Sequence, residues 1–420
     1  DTTLEIVNEG KVNGNDFVGG VIGKLNIGQI VGRFINRGNV SGRDYVGGSI
    51  GYVAKEASIL SASAGKTEFI NEAVAIAGQS DALVAADDAI ADDSKFNVSG
   101  KNYVGGSIGL LLGRSLGNEE YKVEFRSKGT VNGDKYVGGS IGVLAGRTEY
   151  TDFISEGEMT GVGATTAVGG SVGFIGVPNP LTAAGGGSIT ASDVNIVVSH
   201  THFEANGTLT LNDTNGKPED VGEYVWGGIG GAIGAIGNAT DNLFDNSLNN
   251  RWSDNTYYAS GNVTAKGFFH VGGIVGLIKA DNITIENMLA YGTKVTGGKN
   301  VGGIVGATIG EKTVINSAFS ISTNENGGIF TATIKGGLAG GIIGFAQEDT
   351  DASTSYWVKG YTNAELAGSS VTNLQKTLGR YTLAYETYTQ DGKTFTVVFT
   401  KELIGTGTTA GEGGETGDEE

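Results

Sequence analysis

Along most of the chain, Val, Ile, Phe and Tyr alternate with polar residues in runs of four to six, each bounded by Gly or Asn. Alternation with period two between turn-forming residues predicts β-strands. The runs also recur. Tyr45-Val46-Gly47-Gly48-Ser49-Ile50-Gly51 returns at Tyr103–Gly109 and Tyr136–Gly142. Reduced to Gly-Gly-x-x-Gly, the pattern starts at Gly19, Gly47, Gly105, Gly138, Gly169, Gly227, Gly272, Gly302 and Gly340. Two gaps, Gly47 to Gly105 and Gly169 to Gly227, are near twice the short spacing and read as double steps with a decayed copy in each. A fixed period of this size marks a repeat architecture. The expected fold is all-β: a parallel β-helix-like solenoid with repeats of about 30 residues and about a dozen coils.

Each compact repeat has three parts. A run such as Arg33–Gly38 (also Glu5–Gly10, Glu124–Gly129 and Asp152–Gly157) leads to a Val-x-Gly turn at Val12, Val40, Val98 or Val131. The glycine stretch follows. The position before Gly-Gly reads Val18, Val46, Val104, Val137, Val168, Trp226, Val271, Val301, Ala339 and is assigned to the core. The position after it reads Val21, Ser49, Ser107, Ser140, Ser171, Ile229, Ile274, Ile304, Ile342. Strict alternation turns this second column to water. Its isoleucine half then needs a cover, and residues 364–379, with Leu366, Val371, Leu374 and Leu378, have partly helical spacing suited to it.

The array is expected to occupy residues 1–360, with insertions at 52–96, 174–224 and 237–260. The first holds one degenerate coil around Phe69 and an Ala/Asp-rich piece, 81–93, that reads as a short helix; the second holds a hairpin at 194–211. Residues 361–404 read as a helix and β-hairpin cap, since Tyr381–Leu403 alternates about Asp391-Gly392, a type I′ turn signal. The acidic, Gly-rich stretch 405–420 reads as disordered. The opening Asp1-Thr2-Thr3-Leu4 starts mid-pattern, as a mature or trimmed form does.

Composition narrows the partners. Glycine is far above its usual share at 74 residues, with 3 prolines and no collagen triplet. A net charge of −18 argues against nucleic acid and anionic membrane. Residues 159–192 carry no charge, but they are Gly, Thr and Ser with Pro178 and Pro180, unsuited to a spanning helix. Without cysteine there is no thiol chemistry, thiolate metal site or disulfide framework.

An Asn-x-Gly element, then Val-Ser-Gly, then Tyr-Val-Gly-Gly-Ser-Ile-Gly resembles the GLUG motif over about residues 5–345. That motif occurs in repeat regions of bacterial secreted and surface proteins, including adhesin-like proteins and non-catalytic parts of some IgA-specific metalloendopeptidases. Ser or Ile often stands where the family name has leucine, and the cysteine of many members is absent. The resemblance implies surface display and brings no catalytic residues.

Candidate chemistry is sparse. Nine copies of Gly-Gly-x-x-Gly with no helix after them are structural, not a phosphate-binding turn. His200, His202 and Glu204 alternate as if on one strand face, which suits a metal pair or a plain polar face. His270, beside the Val271 column, reads as an edge residue. Asp213–Gly216 with Glu219 and Asp220 has a calcium-loop composition without the twelve-residue register. No cofactor is expected, and calcium is the one cation worth testing. Trp252, Tyr257 and Tyr258 in a polar insertion form a candidate sugar-stacking platform or pack that insertion onto the rod.

The expectation is therefore a non-enzymatic, extracellular or cell-surface adhesin-like rod. Its partner would be a glycan or surface protein of a host or neighbouring cell. Two other classes stand beside it: a filament subunit self-associating through its uncapped N-terminal edge, and a β-helix enzyme acting on polysaccharide.

Overall fold

Each run of the pattern becomes one side of a four-sided coil in a computed structural model of the chain. The structure describes residues 4–61, 65–72, 97–162, 167–178, 181–182, 188–190, 193–212, 227–238, 244–245, 251–321, 329–333, 338–346, 350–352, 355–361, 385–390 and 393–400. In coil 2 the sides are Arg33–Asn36, Val40–Ser41, Asp44–Gly47 and Ile50–Leu60. Like sides stack in parallel register, Phe34 on Phe69 and Val46 on Val104. The four sides become sheets of twelve, nine, nine and fourteen strands. The fold is a parallel β-solenoid.

The nine-stranded second and third sides count nine coils among the described residues, not about a dozen. At ~4.8 Å per rung that makes a rod roughly 40 Å long. No copy has decayed: each double-length gap is one coil carrying insertions. The copy near residue 230 also sits three residues later than expected. Ile229 pairs with Val168 and Val271, and Gly230 with Gly169 and Gly272, so Gly230-Gly231-Ala232-Ile233-Gly234 is the true repeat. Gly-Gly-x-Gly-Gly matches the pattern in two registers, and the ladder selects the one that sets Ile233 on Val172.

The core has two compartments. Between the first and fourth sides run Phe34, Phe69, Phe125, Phe153, Phe203 and Tyr257, six stacked rings with centroids 4.7 to 5.7 Å apart. The smaller compartment lies between the second and third sides and holds Val40, Val98 and Val131 against Val46, Val104 and Val137. Neighbours Tyr45 and Val46 enter different compartments because the aromatic residue is left-handed. Phe17, Tyr45, Tyr103 and Tyr136 have φ of 55°, 56°, 57° and 55°. That conformation costs about 1–2 kcal/mol per residue. In return it swings each ring onto the fourth side, where the rings stack 4.7 to 5.3 Å apart and Tyr52 meets Tyr45 edge-on at 5.6 Å.

The column after Gly-Gly is inside, which corrects the outward assignment. Ser49, Ser107, Ser140, Ser171, Ile274, Ile304 and Ile342 are all fully buried. The Gly-Gly pair is a corner between the third and fourth sides, and alternation does not carry across a corner. Ser140 and Ser171 donate to the carbonyls of Phe125 and Phe153 at 3.2 and 2.9 Å. Among the described residues no exposed isoleucine strip is left to be covered. Residues 364–379 lie outside the described residues, as do 81–93 and 405–420.

Rungs are also locked laterally. Asn8 donates to Asn36 and Asn36 to Asn71, both at 2.8 Å, and Asn36 also donates to the Gly38 carbonyl. This is what the Asn-x-Gly element does: one amide joins the next coil and closes its own turn. On the outside, Arg33 bridges Glu5 and Glu68 at 3.0 and 3.2 Å. Arg37 bridges Glu9 and Glu72 at 3.2 and 2.9 Å. Single exposed pairs contribute little, ~0–1 kcal/mol, but a run of them penalises any slip in register.

The expected insertions shrink. Ile50–Leu60 and Thr67–Asn71 are scaffold strands, leaving 73–96 as the departure in coil 3. Within 174–224, Val197–Ser199, His202–Ala205 and Leu209–Asn212 lie on the fourth, first and second sides, so the hairpin at 194–211 does not form. Within 237–260, Arg251–Ser253 and Thr256–Ala259 are scaffold strands too. At the far end, Tyr356–Tyr361 joins the first side parallel to coil 9. Tyr385–Gln390 and Lys393–Thr400 then add antiparallel as the expected hairpin, with Gln390 opposite Lys393.

Candidate functional site

The fourth side bends halfway along. In coils 3 and 4 two residues make the bend, Leu112-Gly113 and Ala145-Gly146. In coils 5 and 6 the same bend holds residues 178–196 and 239–250. The two insertions leave from paired positions, Val177 and Asn238, and return to paired positions, Val197 and Arg251. Their bases therefore stand one rung apart. Part of the first forms a small antiparallel pair, Leu181–Thr182 with Ser188–Ile189, and Phe244–Asp245 of the second pairs with Ala280–Asp281 of coil 7. This doubled bend is the most distinctive feature of the described surface.

Trp252 and Tyr257 lie beneath it, facing inward. They are 9% and 1% exposed, and Trp252 Nε1 donates to Tyr257 Oη at 2.9 Å. Tyr257 ends the six-ring stack, 5.2 Å from Phe203. A stacking platform needs free ring faces, and these two side chains have none. Tyr258, the next residue, is half-buried on the opposite face of its strand. The three do not form one surface, and the packing reading describes them.

His200, His202 and Glu204 do not share a face either. His200 has φ of 50° at the turn from the fourth to the first side, and its ring stacks 4.4 Å from Tyr150. Its Nε2 is 3.7 Å from Asp254 of the next coil. His202 and Glu204 do lie together, with Nε2 and Oε2 3.1 Å apart, while His202 Nδ1 meets Thr256 Oγ1 at 2.7 Å. The hydrogen bond from His202, with Asn206 helping, holds the Glu204 carboxyl below its ordinary range. No group of three His, Asp or Glu suited to a metal ion occurs among the described residues. Asp213–Gly216, Glu219 and Asp220 lie outside them, as does Trp226.

Sequence reasoning missed two features. Asp16 and Asp44, which occupy the same place in coils 1 and 2, are held by Arg43 at 2.9 and 3.3 Å. Glu124 is buried on the outer face of the first side. Burial pushes its carboxyl up, but Lys66 and Arg126 hold it below the usual carboxylate range.

His270 is not an edge residue. It is 4% exposed on the third side of coil 7, and its Nδ1 accepts from Asn300 Nδ2 at 3.1 Å. Burial, with Lys299 adding to it, pushes its pKa from 6.5 down to about 4. The folded state therefore holds it neutral, and the unfolded state protonates first as pH falls. Its contribution is complete above the unfolded pKa and is lost as pH drops from about 6.5 toward 4. Between pH 7 and 4.5 this amounts to roughly 2–3 kcal/mol. His270→Gln should lose that part of the pH dependence in urea unfolding, and equal slopes in both proteins would refute the assignment.

Among the described residues no helix is long and apolar enough to cross a membrane. No protein-family model, curated protein or solved structure matches the chain.

Proposed function

We propose that this chain is an extracellular or cell-surface adhesin-like repeat protein, in which the solenoid is a stiff support and the doubled bend presents the binding surface. The observation that carries the reading is the pair of insertions rooted on neighbouring rungs, at Val177 beside Asn238 and Val197 beside Arg251. Coils 3 and 4 make the same bend with two residues, so the scaffold does not require the longer segments. Extra chain rooted on a rigid support is where repeat proteins place recognition. The resemblance to GLUG repeats supports surface display, and a glycan or surface protein of another cell is the partner class that suits it.

Binding is preferred to turnover because the first-side carboxylates are engaged rung by rung. Glu68 and Glu124 share Lys66, and Arg126 joins Glu124 to Glu156. That is register chemistry.

The test replaces 176–196 and 237–250 by Ala-Gly, the bend of coil 4, because Ile175 and Ile236 stand in the column of Leu144 and Val197 and Arg251 in that of Arg147. Strand content should be kept, with melting lowered only by the loss of buried Val177 and Ile196, while binding on a panel of glycans and matrix proteins, with and without calcium, falls at least about tenfold, a loss of about 1.4 kcal/mol. Equal binding by the shortened protein moves the site elsewhere. Cleavage of any panel member overturns the reading in favour of an enzyme.

A further inference from the structure

On the outer face of the first side, acids answer to basic side chains as far as coil 5. Glu68 and Glu124 share Lys66, Arg126 joins Glu124 to Glu156, and Lys122 takes Asp152 at 3.1 Å. Glu204 of coil 6 meets an imidazole instead, its Oε2 3.1 Å from His202 Nε2. The other ring nitrogen, Nδ1, lies 2.7 Å from Thr256 Oγ1 on coil 7, the residue paired with His202 across the rungs.

These contacts fix the proton positions. The hydrogen bond from His202, with that from Asn206 Nδ2 at 2.6 Å, outweighs burial and keeps the Glu204 carboxyl below its ordinary range, hence ionised. An ionised carboxylate only accepts, so in the neutral imidazole Nε2 carries the proton and Nδ1 accepts from the Thr256 hydroxyl. Ser260 Oγ donates to Asn206 Oδ1 at 2.9 Å and braces the amide. Hydroxyl, imidazole and carboxylate thus stand in the order that activates a nucleophile. Thr256 is exposed, and the His202 and Glu204 side chains are 28 and 27% exposed, so an incoming group can reach the hydroxyl. On the next rung Asn287 stands just before Met288, as Thr256 stands before Tyr257, and Met288 and Tyr257 are paired. Asn287 is left-handed, with φ of 61°, and its Nδ2 lies 3.4 Å from the Asn255 carbonyl. A side chain held by such a backbone beside a nucleophile marks a candidate site, and a second amide hydrogen there is a donor for charge developing on an attacked carbonyl.

The geometry points to an acyl-transfer site at Thr256 and His202, positioned by Glu204, that takes a small carboxylic ester. It goes beyond the adhesin reading and does not rest on the doubled bend. In the step, Thr256 Oγ1 bonds to the acyl carbon while its proton passes to His202 Nδ1. The ester C–O bond then breaks, and the proton on Nδ1 goes to the departing oxygen. Water attacking by the same route releases the acyl group as a carboxylic acid and restores the hydroxyl.

The probe is p-nitrophenyl acetate, mixed with the 420-residue protein. Nitrophenolate is followed by absorbance, and acetyl groups are located by peptide mass. Release above the buffer rate is expected, with acetyl on Thr256. Thr256→Val keeps a β-branched shape on its strand. That variant and His202→Gln should each lose at least about tenfold of the release, while Thr256→Ser retains it. Loss with valine beside retention with serine is a pattern that a folding defect would not give. Glu204→Gln should lower the maximal rate and leave the half-saturating concentration in place, since the acid orients the base and does not touch the ester. Three results overturn the inference: no release above buffer, equal release by Thr256→Val and the parent protein, or acetyl groups on lysines alone.

Discussion

Gly138→Ala is expected to cost about 4 kcal/mol or more, beyond the usual range for one substitution. The reason is space. The φ of Gly138 is not left-handed, so an alanine there is not strained by its dihedral. Its Cβ, however, would stand 1.8 Å from the carbonyl oxygen of Ile141 and 2.7 Å from the backbone nitrogen of Gly173 in the next coil. Both neighbours are backbone, and Ile141 is paired on both sides of its strand. The second glycine of the corner is closed differently: a Cβ on Gly139 would meet the Gly170 carbonyl at 2.0 Å and Ser155 Oγ at 2.1 Å. One is shut by its own turn, the other by the floor of the next first-side strand. In a stack stabilised mainly between neighbours, the damage should centre on coils 4 and 5. Amide exchange should quicken there first, with a lower urea midpoint. Gly10→Ala is the control, since its nearest neighbour is Asn8 Oδ1 at 3.7 Å, and its effect should stay within about 0.5 kcal/mol. Equal effects at the two sites would remove the corner argument.

The same corner separates what the sequence made legible from what it did not. Strand type, the stacking of like residues and the C-terminal hairpin follow from local alternation and turn chemistry, and they are present. The facing of Ser49 and Ile274 did not follow. Side-chain alternation is a property of one strand, and a Gly-Gly corner restarts it. Nor does alternation announce that Tyr45 is left-handed, because the gain lies in stacking with Phe17 and Tyr103 in neighbouring coils. Counting by spacing failed at Gly47 to Gly105 for a related reason. An insertion lengthens a coil without adding a rung, and only pairing tells length from number: Val98 follows Val40 directly on the second side. The candidate site was half legible. Insertions were expected near the right places, but their roots depend on which residues the ladder claims. It claims Trp252 and Tyr257, the two aromatic rings that looked most like a ligand platform.

Phe125→Ala should cost about 3–5 kcal/mol, the range for truncating a fully buried aromatic ring. Phe125 is fully buried, with Phe69 and Phe153 stacked at 5.1 and 5.2 Å. The neighbouring rings cannot close the gap by sliding, because each belongs to a rung set by its own register, Phe69 opposite Phe125 and Phe125 opposite Phe153. A cavity that cannot collapse puts the cost at the upper end of that range. Phe125→Leu refills part of the volume and should cost about half as much. Urea unfolding of the two variants beside the parent protein measures both, and a cost under ~1 kcal/mol for the alanine variant would show that the ring stack is not what holds these coils together. The result bears on function as well. Tyr257 is the last ring of the same stack and the hydrogen-bond partner of Trp252. Tyr257→Ala should therefore weaken the scaffold under the doubled bend, and a binding loss in that variant cannot locate a ligand. Shortening the two insertions leaves the stack whole, so it can separate a lost contact from a loosened support.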